Sequence, residues 1–219
     1  MIIVLSGEWK TDLGEVDYSS GVFKAGAMYM IVDKLIEQKL SYSPYEVSKE
    51  NIHYIHETEL KTLGKNIKVL PSKKRAIETG FFYKNARVVA KIAKQKEADI
   101  AVLFRDSDLS DKREWEIKYK AVIDGFTIED FEKGVAMLPR PKSEAWLLCA
   151  LKNNYQNCKD LENLSGNDSS PKNLKNMIDE YGFSHDEICQ KIKNNELNIN
   201  KIDMDSFNIF RNRVLELLS

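Results

Sequence analysis

The chain has 219 residues, 42 % of them apolar, enough to bury about 70 % of the surface its unfolded form exposes in one core with an appended lobe. Its 33 Lys and Arg cancel against 34 Asp and Glu to a net −1, which excludes a globally basic nucleic-acid coat or an acidic tail protein. Any electrostatic message must therefore be local.

Ile2 to Leu5 is a continuous aliphatic run, as expected for a strand buried on both faces, and it ends at Ser6-Gly7. Residues 24–40 carry helical spacing through Ala27, Ile31, Leu35 and Leu40, stopped by Ser43-Pro44. Ile52–Ile55 and Ile67–Leu70 read as short strands. A helix is expected over 83–97, then the clearest strand of the chain, Ile100–Phe104. A further helix over 113–125 is expected to stop at Gly125, and Val135–Leu138 forms a last strand before Pro139 and Pro141. Strands alternating with crossover helices predict an α/β fold with a mostly parallel central sheet flanked by helices. Asparagine marks a change of character: three precede residue 151 and thirteen follow. The later segment holds four helix-like stretches, including an amphipathic one through Phe207, Phe210, Val214, Leu217 and Leu218. The expected division is a body over 1–152 and a helical lobe over 153–219 packed on it.

No apolar run approaches the roughly 18 residues of a membrane span. MIIVLSGEW lacks the basic start and apolar length of a signal peptide, so a cytoplasmic protein without a membrane partner is expected. Cys149, Cys158 and Cys189 are odd in number and lack CxxC spacing, and in such a compartment they read as reduced and structural.

The chemistry concentrates in IAVLFRDSDLSD, residues 100–111. A buried parallel strand delivers its carboxyl end to the crevice where open α/β sheets bind ligands, and Asp106 and Asp108 sit just past that end. Carboxylates at i and i+2 suit a hard cation such as Mg²⁺ or Mn²⁺; the plain alternative is an Asp-Ser-Asp turn that caps the next helix. Glu8 follows the first strand and Asp12 comes four residues later. If both strands are central, Glu8 and the Asp pair meet at one edge, where they repel one another unless a cation or a proton intervenes. In PRPKSEAWLLCAL, residues 139–151, Ser143 is a candidate N-cap. Glu144 in the first turn suits the helix dipole, and Lys142 is placed to neutralise phosphoryl charge.

SGEWKTDLG, YKNARVVAKIA, VLFRDSDLSD and MLPRPKSEAWLLCALK together resemble a bacterial TOPRIM-like family, related to the overcoming-lysogenization-defect-type nucleases. The resemblance covers roughly residues 1–152. It implies a TOPRIM-like fold, with Glu8 as general acid/base and metal neighbour and Asp106 and Asp108 as metal ligands; Lys142 and Glu144 are catalytic candidates on separate grounds, because their segment follows another expected strand end. It also implies a phage-defence setting beside a separate ATPase subunit; the chain itself has no GxxxxGK[ST] phosphate loop. Many TOPRIM domains place Gly after the catalytic Glu, where this chain has Trp9.

Residues 61–96 hold eleven basic side chains against one acid, Glu78, a net +10 within a chain of net −1. Lys84, Arg87, Lys91 and Lys94 share one helical face. Phosphate-backbone contact is expected from Lys73, Lys74, Arg75, Lys84 and Arg87, since sequence-independent binding needs clustered charge. Phe81, Phe82 and Tyr83 suit either base stacking or core packing. His53 and His56, at i and i+3 of a strand-like stretch, face opposite ways and share no metal. The expected function is a Mg-dependent phosphodiester hydrolase acting on DNA or RNA. The alternatives are a catalytically inactive nucleic-acid-binding or ATPase-partner subunit, and a DxD phosphatase or sugar transferase.

Overall fold

The structure is a computed structural model describing residues 1–8, 12–17, 19–67, 77–152 and 158–219. Its centre is a four-stranded parallel sheet of β1 (Ile3–Ser6), β4 (Ile52–Ile55), β5 (Ile100–Phe104) and β6 (Gly134–Met137), in the order β4-β1-β5-β6. Ile3 lies opposite Ile52 on one side and Ile100 on the other. A separate antiparallel pair, β2 (Gly14–Val16) and β3 (Phe23–Ala25), lies between β1 and the first helix.

The pleat explains why these strands are apolar throughout. Ile3, Leu5, Val102, Phe104, Val135 and Met137 join one core, while Val4, Ala101, Leu103 and Ala136 join another. Alternate side chains thus enter opposite layers, and both layers are covered by helices. The first contains α1 (Ala27–Leu40), α6 (Ser143–Leu151) and α9 (Asp205–Leu217); the second contains α3 (Glu57–Gly64), α4 (Ile77–Gln95) and α5 (Lys112–Thr127). A four-residue helix, α2 (Pro44–Val47), precedes β4, and α7 (Leu174–Asp179) and α8 (His185–Lys193) precede α9.

The C-terminal helices share the first core with the sheet. Trp146 of α6 is fully buried, packs on Phe207 and Phe210 of α9 at centroid distances of 5.0 and 5.5 Å, and donates through Nε1 to Ser206 Oγ at 2.9 Å. Truncating such a side chain costs about 3–5 kcal/mol. Beside it, buried Arg140 pairs with buried Glu162, whose other oxygen accepts the Ser206 backbone N–H at 2.8 Å.

Several expectations are corrected. Residues 24–26 precede α1 rather than joining it, because Phe23–Ala25 pairs with Gly14–Val16. Ile67 closes a turn onto Gly64 instead of starting a strand, and residues 68–70 lie outside the described residues. α5 does not stop at Gly125. That residue is helical, and a Cβ there would lie 2.5 Å from the Tyr83 carbonyl oxygen and 2.7 Å from Ala86 Cβ, so glycine is what lets α5 press against α4. The cysteines are not all reduced. Cys149, near the end of α6, and Cys158, just before the short helical turn Lys159–Asn163, form a disulfide with Cα atoms 5.5 Å apart, and Cys189 is free and buried. Nine residues of separation gave no CxxC signal, but the fold returns the chain to bridging distance.

Among the described residues, no helix is long and apolar enough to cross a membrane.

Candidate functional site

The strand order fixes where a site can form. From β1 the chain moves outward to β4, crosses back to β5, and continues to β6. The connections leaving β1 and β5 therefore diverge, which opens a crevice at their carboxyl ends. Glu8 and Asp106 flank that crevice.

Asp106 does not cap the helix that follows it in sequence. Asp111 does that, accepting from Glu114 N at 2.9 Å. The Asp106 carboxylate instead accepts the Ser143 N–H at 2.9 Å, at the first turn of α6, whose N-cap position is held by Lys142 rather than Ser143. A carboxylate borrowed from β5 thus satisfies an orphan donor of another element and sits at the positive end of its dipole. Ser143 Oγ also lies 3.5 Å from Glu144 Oε2 and hydrogen-bonds Asp12. One serine therefore links three carboxyl groups.

Asp12 is fixed by its backbone: its carbonyl oxygen accepts the Met28 N–H at 2.8 Å at the start of α1. Its side chain is pushed up to about 7, first by desolvation and then by the negative charges of Glu144 and Glu8, against the Ser143 hydrogen bond. Asp106 is raised well above the ordinary carboxylate range by desolvation, Asp12 and Glu144, with the Ser143 N–H opposing. Glu8 is also raised by desolvation, with Arg105 pulling it down. Removing carboxylates from water beside one another favours their protonated forms.

Arg105 is the buried cation beside Glu8. Its side chain is 1 % exposed, its Nη1 lies 3.0 Å from Glu8 Oε1 and 3.7 Å from Glu57 Oε1, and its guanidinium rests 5.0 Å above the Phe81 ring. Its Nε and Nη2 find no hydrogen-bond partner among the described residues. Phe82 and Tyr83 are core residues, which settles two of the three aromatics as packing.

Asp108 is oriented differently from Asp106. It adopts the left-handed region at φ 54°, its side chain is 62 % exposed, and its carboxylate lies 3.6 Å from Lys142 Nζ. Lys142 makes its shorter bond, 2.7 Å, to Asp168 of the C-terminal segment. Burial of the Lys142 stem pushes its pKa down, but Asp168 and Asp108 outweigh this and the net shift is upward. Asp106 is thus brought together with Asp12, Glu144 and Glu8, and Asp108 with Lys142 and Asp168.

The basic face is largely engaged by the chain's own acid. Arg87 Nε lies 2.5 Å and Lys91 Nζ 3.8 Å from Glu129 Oε1, and Lys94 Nζ donates to the Glu129 carbonyl oxygen at 2.9 Å. Lys84 is half-buried on the same helix. Lys73, Lys74, Arg75 and Trp9 lie outside the described residues. His53 is in β4, and His56 holds the N-cap position of α3 directly before Glu57, with its ring 5.0 Å from that of Tyr54.

Arg105, Glu57 and Asp168 belong to this site although no motif marks them. Arg105 stands next to Asp106 in the sequence, and an arginine inside an otherwise apolar strand end was the available signal. Glu57 and Asp168 are single acids far along the chain, legible only through the fold.

The donors at this edge are all carboxylate oxygens, the hard ligands that Mg²⁺ and Mn²⁺ take. Their mutual repulsion is what a divalent cation relieves, so the chemistry of the donors, though not their present spacing, suits such an ion. In this arrangement no three Asp, Glu, His or Cys side chains are gathered as a metal-holding group among the described residues. No protein family, curated protein or solved structure matches the chain.

Proposed function

We propose that this protein is a Mg²⁺- or Mn²⁺-dependent phosphodiester hydrolase acting on DNA or RNA. One observation carries the reading: four carboxyl groups, Glu8, Asp12, Asp106 and Glu144, influence one another at the carboxyl ends of the two central strands, and three of them are raised in pKa. Perturbed groups in a crevice are the usual mark of a functional site. Asp106, Asp12 and Glu144 are the residues that would hold the ion, with Asp108 beside Lys142 at the same edge. When bound, such an ion polarises a phosphate and acidifies a water molecule.

The chain's own residues divide the remaining work. Glu8, raised by desolvation yet steadied by Arg105, takes and returns the proton. Lys142 neutralises phosphoryl charge. The resemblance to TOPRIM-like proteins agrees with a Glu after the first strand and an Asp-x-Asp after the third strand of the main sheet, and it adds a phage-defence role beside a separate ATPase subunit.

A second reading is an inactive nucleic-acid-binding or partner subunit. The observation that favours it is the Arg105–Glu8 pair at 3.0 Å, which occupies the proton carrier. Incubating the purified protein with DNA or RNA and Mg²⁺, beside an Asp106→Ala control, separates the two. Metal-dependent fragments that vanish in the variant support the hydrolase. Binding without fragments in both proteins supports the second reading, and equal cleavage by both removes the site assignment.

A further inference from the structure

We infer that the segment over 164–173 is a built-in strap whose Asp168 occupies the anion position on Lys142, so that a substrate phosphoryl group must displace it. This rests on the reading of Lys142 as a phosphoryl-binding residue. Two contacts with the body and one internal brace show that the segment is seated rather than merely passing. Gly166 lies against the backbone of Asp108, where a Cβ would come within 2.8–2.9 Å of the Asp108 Cα, carbonyl carbon and oxygen. Buried Asn173 donates through Nδ2 to the Asp168 carbonyl oxygen at 2.7 Å, and its side-chain oxygen accepts the Asn176 N–H at 2.6 Å as the cap of α7. Asp168 then bonds Lys142 at 2.7 Å.

The chemistry of the pair points to displacement. Lys142 is only 16 % exposed along its side chain, whereas Asp168 is 66 % exposed. The lysine therefore stays in place while its partner is free to leave into water. A carboxylate presents to an ammonium the same kind of charged oxygen that a phosphate does, with less charge. A pair whose acid partner is this exposed is weak enough for a polyanion to break. The strap sets a threshold, since single weak anions gain little by displacing Asp168 and a multiply charged phosphate chain gains more.

The test is equilibrium binding, without added metal, of two probes, inorganic pyrophosphate and a short oligonucleotide, to the wild-type chain, Asp168→Asn, Lys142→Gln and the double variant. Asp168→Asn is expected to tighten both probes about 2- to 5-fold, the range that the loss of one exposed competitor allows. In the Lys142→Gln background the same change should have no effect. Gly166→Ala, which cannot keep its seat on Asp108, should tighten binding in the same direction. Glu50→Gln, an exposed acid preceding β4 at the opposite end of the sheet, controls for net charge and should change nothing. Unchanged or weaker binding in Asp168→Asn, an equal gain in Glu50→Gln, or no binding of either probe by any variant overturns the inference. Tighter pyrophosphate binding without any oligonucleotide binding keeps the strap and removes the nucleic-acid reading.

Discussion

Two charged regions of this molecule look alike in composition and behave oppositely in the fold. At the carboxyl ends of β1 and β5, acids gather, and desolvation first and neighbouring negative charge second raise Glu8, Asp12 and Asp106, with Arg105 opposing at Glu8 and Lys142 at Asp12. On α4, bases gather, and three of them turn to Glu129 in the turn after α5, Arg87 and Lys91 to its carboxylate and Lys94 to its backbone carbonyl oxygen. The first cluster is left with electrostatic strain that an external cation would relieve. The second is relieved in part within the chain, at Arg87 and Lys91. A run of like charge is therefore evidence for an outside partner only after the fold has shown what faces it.

The largest effect should come from the acid edge. Asp106→Asn is expected to reduce metal-dependent cleavage to background while leaving the fold intact, because Asn still offers an oxygen to the Ser143 N–H. The melting temperature should fall by no more than about 2–4 °C; a larger fall would make Asp106 chiefly a helix cap. Asp108→Asn should cost less, as that side chain is itself mostly exposed. Glu8→Gln should slow turnover by about 10²- to 10⁴-fold, the usual worth of a positioned acid or base, while Mg²⁺ still binds. Loss of metal binding in that variant would make Glu8 a ligand instead.

A pH series sharpens the contrast. Asp12 titrates at about 7 in the folded chain against 3.8 as its reference value. A carboxyl raised by folding carries no penalty below the lower value, and the penalty grows as pH rises through the window and is complete above the upper one. The metal-free protein should therefore lose thermal stability between about pH 4 and about pH 7, and Asp12→Asn should flatten that loss. Bound carboxylates must be deprotonated, so the gain in melting temperature from Mg²⁺ should be larger at about pH 8 than at about pH 5. An equal gain at both would separate Asp12 from the metal.

Much of the fold could be read from the chain, because its central strands are uniformly apolar and its long helices strongly periodic. Ile52–Ile55 and Ile100–Phe104 are strands as expected and α5 falls within two residues of its expected span, whereas α4 begins at Ile77, six residues before its expected start at 83. β2 and β3 escaped because GEV and FKA are three residues each, too short for any period to show. Gly125 looked like a stop because glycine's local cost is visible in sequence and its use at a helix–helix contact is not. The acid edge was half legible: Glu8, Asp106, Asp108, Lys142 and Glu144 follow strand ends. The Ser143 link, the burial of Arg105 and the arrival of Asp168 depend on elements meeting across the fold.

The smallest effect is expected at α4. Replacing Lys84 and Arg87 together with Gln should lower the salt dependence of oligonucleotide binding by no more than about 0.7 to 0.9, one phosphate contact, because Arg87 already spends its charge on Glu129. The loss should be alike for unrelated sequences, since phosphate contacts position without specifying. A fall worth two phosphates would mean that nucleic acid takes Arg87 from Glu129, and an unaltered slope would remove this face from the binding surface.

The acid edge itself is tested most directly by calorimetric titration of Mn²⁺ at about pH 8 into the wild-type chain and into the Asp12→Asn/Asp106→Asn double variant. One ion bound per wild-type chain, and none by the folded double variant, is the predicted result. Equal binding by both proteins, or no binding by the wild type, would contradict the claim that these carboxylates are a cation site.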